Sequence, residues 1–487
     1  MEETFLHKTE SICANCKKLI PAELWKIDEQ IVMRKGCPEH GQQDIVISTH
    51  AGWFENVMSY DARLNPPKEP KVPVKNGCPF DCGSCSYHEQ QMFLPIVPIT
   101  SGCNLSCPIC YTHNKNEDAY QMTEEELRGI IGHLRQMIPG KRIINITGGE
   151  PTQHPDYVRL LELCYEEGIH RITLSTHGLN FLGDNEDLLR KLAEIDVRVI
   201  LSFDSFEEKI NRQMLGGNFL TGKMRVVEQL EAHDICTSLL AVVAKDVNNH
   251  EVGDFVKLSL EKDFIQSLEM HTMTYTGQYG IHFDRKTRYG TYDLLKDIEE
   301  QTDGNIRISD FVPSPCAHPL CYQVCYLMRM EDDGWLPMLR FMPPEDLRDL
   351  VSDSLYMEPD PRTERKLQDV INRIWAGDIE CEDDEAVLSG LKYLVTKLFA
   401  PGITYEERLA ISERSFKAIY IHTHMDDENF DVDRIRQCCV SIVEPDGRTI
   451  PSCAYNVLYR DRDERYMKQP HPPIQSLAPG QFKKPTE

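Results

Sequence analysis

The sequence predicts an α/β protein: a partial (β/α)6 TIM-like barrel, preceded by a small metal-binding knuckle and followed by an α+β region. Three observations carry this. Between residues 95 and 273, six short β-prone runs alternate with amphipathic helical patterns. Most of the 18 cysteines fall in groups at short spacings. The chain is also long, at 487 residues, and needs no disulfide staples to bury a core. The expected organisation is a knuckle at 1–60, a second cysteine segment at 61–94, the barrel core at 95–290 and a C-terminal region at 291–487.

The charge balance narrows the partners. Lysine and arginine number 53 against 78 aspartates and glutamates, a net charge of −25. Such a surface repels phosphate backbones and anionic bilayers, so no nucleic-acid partner and at most peripheral membrane contact are expected. No apolar run reaches the roughly 20 residues that span a bilayer. Met1-Glu2-Glu3-Thr4 lacks a basic or apolar leader pattern. The expected location is cytoplasmic, or peripheral to the membrane. In a reducing compartment, closely spaced cysteines mean metal before disulfides.

Taken in order, Cys13 and Cys16 form a C-x2-C grip, and Cys37 with His40 completes a tetrahedral set about 20 residues on. Zinc or a rubredoxin-like iron fits such donors. Cys78, Cys82 and Cys85 form C-x3-C-x2-C. A strand at 95–100 leads into Cys103, Cys107 and Cys110, which repeat that spacing. Helices are expected at 124–137, 156–167, 185–194, 222–232 and 250–260. Strands are expected at 142–147, 171–175, 197–203, 237–243 and 267–273. In such barrels functional residues sit where strands end. The second strand ends in Gly148-Gly149-Glu150-Pro151. Adjacent glycines let backbone approach a ligand, and a carboxylate can pair with an ammonium group. The third ends in Ser175-Thr176-His177-Gly178 and the fourth in Ser202-Phe203-Asp204, as ligand contacts or as strand-end caps.

Beyond the barrel, Cys316, Cys321 and Cys325 form a further group. Cys438, Cys439 and Cys453 flank a hairpin signal at 444–448 and are natural fourth ligands for the incomplete groups; which serves which stays open. Cys164, Cys236 and Cys381 read as ordinary buried thiols. His422, His424, Asp426 and Asp427 either bind a metal or headgroup or cap a helix start. Residues 388–399 carry an apolar stripe (Leu388, Leu391, Leu394, Val395, Leu398), for core packing or for lining an apolar cavity.

Three thiolates hold three corners of a 4Fe-4S cube and reserve the fourth iron for another ligand. Cys103, Cys107 and Cys110, with Gly-Gly-Glu-Pro about 40 residues later at a strand end, resemble the radical S-adenosylmethionine (SAM) superfamily over roughly 95–275. One departure is Ile109, where that family often has an aromatic residue. The resemblance implies that the open iron chelates SAM. It also implies that Gly148, Gly149, Glu150 and Pro151 meet the amino end of SAM, and that Ser175, Thr176, Ser202 and Asp204 meet its ribose and carboxylate. The C-terminal part is then an iron–sulfur-binding α+β region.

Three further stretches narrow the likeness: Cys37-Pro-Glu-His40-Gly, the segment 77–85, and the tail with 424–431, 445–448 and 450–456. Together they look like the archaeal tetraether lipid synthase group and its bacterial relatives. That likeness implies SAM, three 4Fe-4S clusters, one mononuclear site, and coupling of two lipid chains through a C–C bond, with a substrate radical held on an auxiliary cluster. The group at 316–325 is expected over the barrel mouth for that role. The alternative is radical methylation or other modification of a small molecule such as a pterin. A third reading, a non-catalytic electron carrier or redox sensor, is opposed by Gly-Gly-Glu-Pro, since a carrier needs no SAM pocket. No Asp-x-His-x-x-Gly cobalamin signature is present. The expected partners are a lipid or other small-molecule substrate and a low-potential electron donor such as ferredoxin or flavodoxin.

Overall fold

The computed structural model describes residues 2–466 except 69, 71, 139–142, 184, 278–282, 286–287, 332, 353–355 and 382. Arg142, the expected start of the second barrel strand, and the tail 467–487 of the C-terminal region lie outside the described residues.

The first 48 residues form an antiparallel meander of β1 (Glu3–Ile12), β2 (Leu19–Ile27), β3 (Gln30–Cys37) and β4 (Gly41–Ser48). Helix α1 (Ala51–Met58) follows, with the His50 ring accepting the Trp53 N–H at its start. Its Ala51, Phe54 and Val57 pack with Leu24 and Met33 of the meander and with Leu320.

The barrel strands are β5 (Leu94–Thr100), β6 (Ile143–Gly148), β7 (Arg171–Thr176), β8 (Val197–Ser202), β9 (Thr237–Val243) and β10 (Ile265–Thr272). They pair in chain order, all parallel. Between them lie α2 (Glu124–Met137), α3 (Tyr157–Glu166), α4 (Glu186–Glu194), α5 (Glu208–Leu215), α6 (Leu220–Ala232) and α7 (Val252–Glu261). The α2 start is set by a reciprocal cap: Thr123 Oγ1 accepts the Glu126 N–H at 3.2 Å, and Glu126 accepts the Thr123 N–H at 2.7 Å. The sequence did not foresee α5. It is charged on most sides and buries only Ile210, Asn211, Met214 and Leu215.

The C-terminal region contributes α8 (Thr291–Gln301), β11 (Val312–Pro313), β12 (Tyr322–Arg329) and β13 (Trp335–Pro337). Helices α9 (Pro344–Leu350), α10 (Pro361–Trp375), α11 (Asp384–Leu398) and α12 (Tyr405–Ser415) follow. Then come β14 (Phe416–His422), α13 (Val432–Arg436), β15 (Val440–Val443) and β16 (Thr449–Pro451). Two of these strands extend the barrel in parallel, β14 beside β10 and β15 beside β5. The arc stays open because β14 next pairs with antiparallel β12, and β15 with antiparallel β16. The expected hairpin is there: Glu444 N–H donates to Arg448 O at 2.9 Å.

Alternation gives the sheet two distinct faces. Ile144, Ile146, Leu174, Val199, Leu201, Leu239, Ala241, Leu268 and Met270 join the core under α2, α3, α4, α6 and α7. The opposite, concave face carries Ser175, Ile200, Ser238 and Ser267 in one layer, Ser202, Leu240, Glu269 and Tyr420 in the next, and His271 and His422 near the strand ends. Its floor is closed by α12, whose Glu413 pairs with Arg171 at 2.8 Å and Arg198 at 2.9 Å. The apolar stripe of α11 is core packing: Leu391, Leu394 and Leu398 meet Leu367, Val370 and Met328. Among the described residues no helix is long and apolar enough to cross a membrane.

Candidate active site

The meander brings Cys13, Cys16, Cys37 and His40 together, their ligand atoms all within 4.8 Å of one another. Cys16 and Cys37 sulfurs are 3.8 Å apart, and His40 Nδ1 lies 3.4 Å from the Cys37 sulfur. A tetrahedral ion with metal–sulfur bonds of ~2.3 Å has edges of about 3.8 Å, so the donors fit one ion. Burial pushes the Cys37 thiol up, but His40 and the Glu39 and His40 N–H groups outweigh it and hold it at about 6.

At the far end of β5, Cys103, Cys107 and Cys110 sit on a loop that leaves all three partly exposed, as a cluster open to a further ligand requires. Cys103 N–H donates to Asn116 Oδ1 at 2.9 Å, and Ile109 N–H to Met214 O at 3.1 Å. The Ile109 side chain fills an apolar cluster with Ile210, Met214 and Tyr275, which accounts for an aliphatic residue there. Burial pushes the Cys103 thiol up to about 12 and Cys107 higher still. Iron would supply the positive charge that keeps these sulfurs as thiolates.

Gly148 and Gly149 lie hard against the cluster loop. A side chain at Gly148 would lie 2.4 Å from Thr100 O, and one at Gly149 2.3 Å from Gly102 O. Gly149 and Glu150 N–H groups donate to those same carbonyls, at 2.9 and 2.8 Å. The glycines let the end of β6 press against the cluster loop. Pro151 begins a short 3-10 turn behind Glu150. The Glu150 carboxylate is fully engaged: it accepts from Thr152 Oγ1 and Thr176 Oγ1 at 2.6 Å each and from the His177 N–H at 2.9 Å. It ties β6 to β7 and positions the loop. Ser175 donates to Asn145 Oδ1 at 3.0 Å, on the concave face. His177 reaches Asn104 of the loop at 2.8 Å.

Sequence reasoning missed Lys223. From α6 its ammonium donates to Ser202 O and faces Asp204, whose Oδ1 accepts the Val242 N–H at 3.0 Å. Burial pushes Lys223 down and Asp204 up, and each pulls the other back. This pair lies beside Cys107, and the buried Arg460 lies beside Cys110 and Tyr111. Both cations sit where an anionic cluster would need them.

The other cysteines converge on the open seam of the barrel. Cys316, Cys321, Cys438 and Cys439 pack in one cluster with Phe93 and Tyr322. Cys439 O accepts the Phe93 N–H at 2.8 Å, which locks this group to β5. Cys78 and Cys82 pack with Cys453, Met425 and Tyr455, and Cys85 lies beside Cys78. Asp81 organises their loop by accepting the N–H groups of Lys75, Asn76 and Gly77. The cationic Arg434 is buried against Cys321 and Cys453. Cys325, expected beside Cys316 and Cys321, is not there. On β12, Val324 and Tyr326 face the helical unit, so Cys325 and Leu327 turn the other way into the barrel core. Cys439 stands where that reading had Cys325.

The tail cluster also divides. Asp426 pairs with Arg288 at 2.9 and 3.1 Å and accepts the Glu428 N–H at 2.9 Å; Asp427 pairs with Lys17 and Arg285. Asp427 ties the 423–431 loop to Lys17 of the meander, and the two carboxylates together tie it to Arg285 and Arg288. His422 and His424 instead meet His271, which the sequence did not flag; register pairs His271 directly with His422. Burial holds His422 and His424 well below the ordinary imidazole range. Tyr111, next to Cys110, stacks on His424 with ring centres 5.3 Å apart.

The model of the radical SAM superfamily matches residues 97–259, and that of the HMPTM N-terminal zinc ribbon domain matches 5–49. A 7,8-dihydro-6-hydroxymethylpterin dimethyltransferase of Methanocaldococcus jannaschii is 30% identical over 95% of this chain and 96% of its own. The chain belongs to the radical SAM superfamily, in the family of that dimethyltransferase. It is also 30% identical to a GTP 3',8-cyclase of Haemophilus influenzae, over 32% of this chain and 46% of the cyclase. Streptococcus suis SuiB bound to its precursor peptide SuiA aligns with TM-score 0.38 and 19% identity, over 44% of this chain and 46% of SuiB. The chain thus spans less than half of the cyclase and of SuiB. As a radical SAM enzyme it is expected to use SAM and a 4Fe-4S cluster. The tetraether lipid synthase likeness is not among these relatives.

Proposed function

We propose that this radical SAM enzyme methylates a reduced pterin. The observation that carries the reading is the concave face beneath the cluster loop. It is lined by Ser175, Ser202, Ser238, Ser267, Glu269 and Tyr420 and floored by the Glu413 ion pairs. A floored face that sets hydroxyls and a carboxylate beside Ile200 and Leu240 suits a flat heterocycle rich in N–H and C=O groups. Lipid coupling, the first expectation from the tail motifs, needs a long apolar tunnel, and α11 spends its apolar stripe on packing. The full-length pterin-modifying relative supports the same choice.

When bound, the SAM cluster supplies an electron that cleaves SAM to methionine and a 5′-deoxyadenosyl radical, which takes hydrogen, while the methyl group comes from a separate one-carbon donor. The residues of this chain do the rest. Cys103, Cys107 and Cys110 hold the cluster, while Lys223 and Arg460 balance its charge. Gly148, Gly149 and Glu150 set the loop against β6 and β7. Ser175 and Ser202 face the site from the strand ends, while Thr176 and Asp204, held by Glu150 and Lys223, support those ends from behind. Cys78, Cys82 and Cys85 with Cys453 form one auxiliary cluster site, and Cys316, Cys321, Cys438 and Cys439 another. Cys13, Cys16, Cys37 and His40 hold zinc or iron. Electrons come from a low-potential donor such as ferredoxin or flavodoxin.

Filling the concave face tests this. Ser238→Leu should leave SAM cleavage without substrate unchanged, yet lower methylated-pterin yield about 10-fold or more, read by mass spectrometry, since a leucine takes the space of the ring. Unchanged yield from that variant would place the substrate elsewhere.

A further inference from the structure

Three buried imidazoles meet at the end of the sheet beside the seam, where His422 and His424 line the same pocket as Cys321, Cys438, Cys439 and Cys453. His271 ends β10, His422 ends β14, and His424 follows two residues later. Each offers a ring nitrogen, and the three nitrogens lie within 4.8 Å of one another. Ring centres are 5.0 Å apart for His271–His422 and His271–His424, and 4.0 Å for His422–His424. Two strand ends in register, plus His424 just beyond, therefore bring three imidazole donors to one point.

The surroundings are those of a metal site. His271 Nε2 is held by Glu269 Oε1 at 2.8 Å, the carboxylate behind a ligating imidazole that fixes its tautomer and leaves Nδ1 for the ion. Tyr322 stacks on His422 at 3.8 Å, and Tyr111 on His424, so the rings cannot swing freely. His424 Nδ1 is 3.6 Å from the Cys453 sulfur, which sets that ring between the trio and the seam. Metal–nitrogen bonds of ~2.1 Å need the nitrogens somewhat closer, within reach of small rotations about the terminal ring torsions.

We propose that His271, His422 and His424 bind a divalent zinc or ferrous ion, separate from the iron–sulfur clusters. Three imidazoles with no carboxylate ligand suit these borderline ions, not magnesium or calcium. Three protein donors leave a fourth position, as at catalytic zinc sites.

The test uses the full-length protein, purified without oxygen and with its clusters loaded. His422→Phe keeps the ring stacked on Tyr322 but removes its nitrogens. The variant should lose one zinc or iron per chain, with sulfide content and cluster absorption unchanged. Anomalous diffraction from the unaltered protein, at the zinc and iron edges, should show one peak among the three rings and name the element. Equal metal content in the variant would overturn the proposal. So would loss of sulfide together with iron, which would make His422 a cluster ligand, or the absence of any peak at that point.

Discussion

The cluster loop at 103–110 and the seam of the barrel both gather cysteines, by opposite means. The loop holds three within eight residues, partly exposed, and braces them from behind with Gly148, Gly149 and Glu150. The seam draws Cys316, Cys321, Cys438 and Cys439 from two distant segments, burying Cys316 and Cys439 and half-burying Cys321 and Cys438 beside Phe93 and Tyr322. A site that must admit and release SAM needs an open side and a stiff back. A site that holds a cluster permanently can be sealed by the fold. The difference predicts that the loop answers to local changes and the seam only to changes that break the closure of the sheet.

The largest expected effect separates the two outright. Replacing Cys103, Cys107 and Cys110 together with Ala should bring 5′-deoxyadenosine to background, while the metal of the meander and the sulfide of the seam remain. Next, Cys321→Ala should lose iron and sulfide equal to one cluster and form no methylated product, yet still cleave some SAM. Cys325→Ala is its control. Buried in the barrel core, that thiol should cost about 1 kcal/mol in denaturant unfolding and no iron.

A smaller effect concerns the charge behind the loop. Lys223→Met leaves Asp204 buried and unpaired, and should cost about 3 kcal/mol in stability. Adding Asp204→Asn in the same chain should recover much of that loss, a coupling read from the double-mutant cycle. Gly149→Ala should act through geometry, since its new methyl would press on Gly102 O at 2.3 Å. The expected result is SAM binding weakened about 10-fold, near 1.4 kcal/mol, with little change in seam iron.

The mildest prediction lies at the opposite end of β14 from His422. Lys417 is buried there, donating to Ser259 O and Lys262 O, and burial pushes it down from 10.5 to about 7. Between those values the unfolded chain binds the proton and the folded chain does not. Stability should therefore rise from pH ~7 towards pH ~10, and Lys417→Met should flatten that slope in thermal unfolding. A slope unchanged by the substitution would assign it to other groups.

What could be read in the sequence follows the same division. The six barrel strands were legible because alternation and flanking helices are local, and α2 because Thr123 and Glu126 spell out its cap. Cys103, Cys107, Cys110 and Gly-Gly-Glu-Pro stand close in the chain, so their spacing carried the superfamily. The roles of Gly148, Gly149 and Glu150 were not legible, because they depend on how close β6 comes to Thr100 and Gly102. Cys325 was misplaced because spacing alone ignores that neighbours on a strand face opposite ways. His271 and Lys223 gave no local signal; only the pairing of β10 with β14, and the packing of α6 under β8, bring them to the site. The ranking of lipid over pterin rested on tail motifs that, in the fold, mostly anchor loops: Asp426 and Asp427 hold arginines and a lysine.

The account turns on which substrate drives SAM cleavage. The most direct measurement is 5′-deoxyadenosine and product formation by the cluster-loaded enzyme under anaerobic conditions, with SAM, a one-carbon donor, a low-potential reductant and either 7,8-dihydro-6-hydroxymethylpterin or an isoprenoid lipid extract. The floored concave face predicts cleavage stimulated by the pterin, with methylated pterin as product and no response to lipid. Lipid-stimulated cleavage with joined alkyl chains, and none with the pterin, would contradict it.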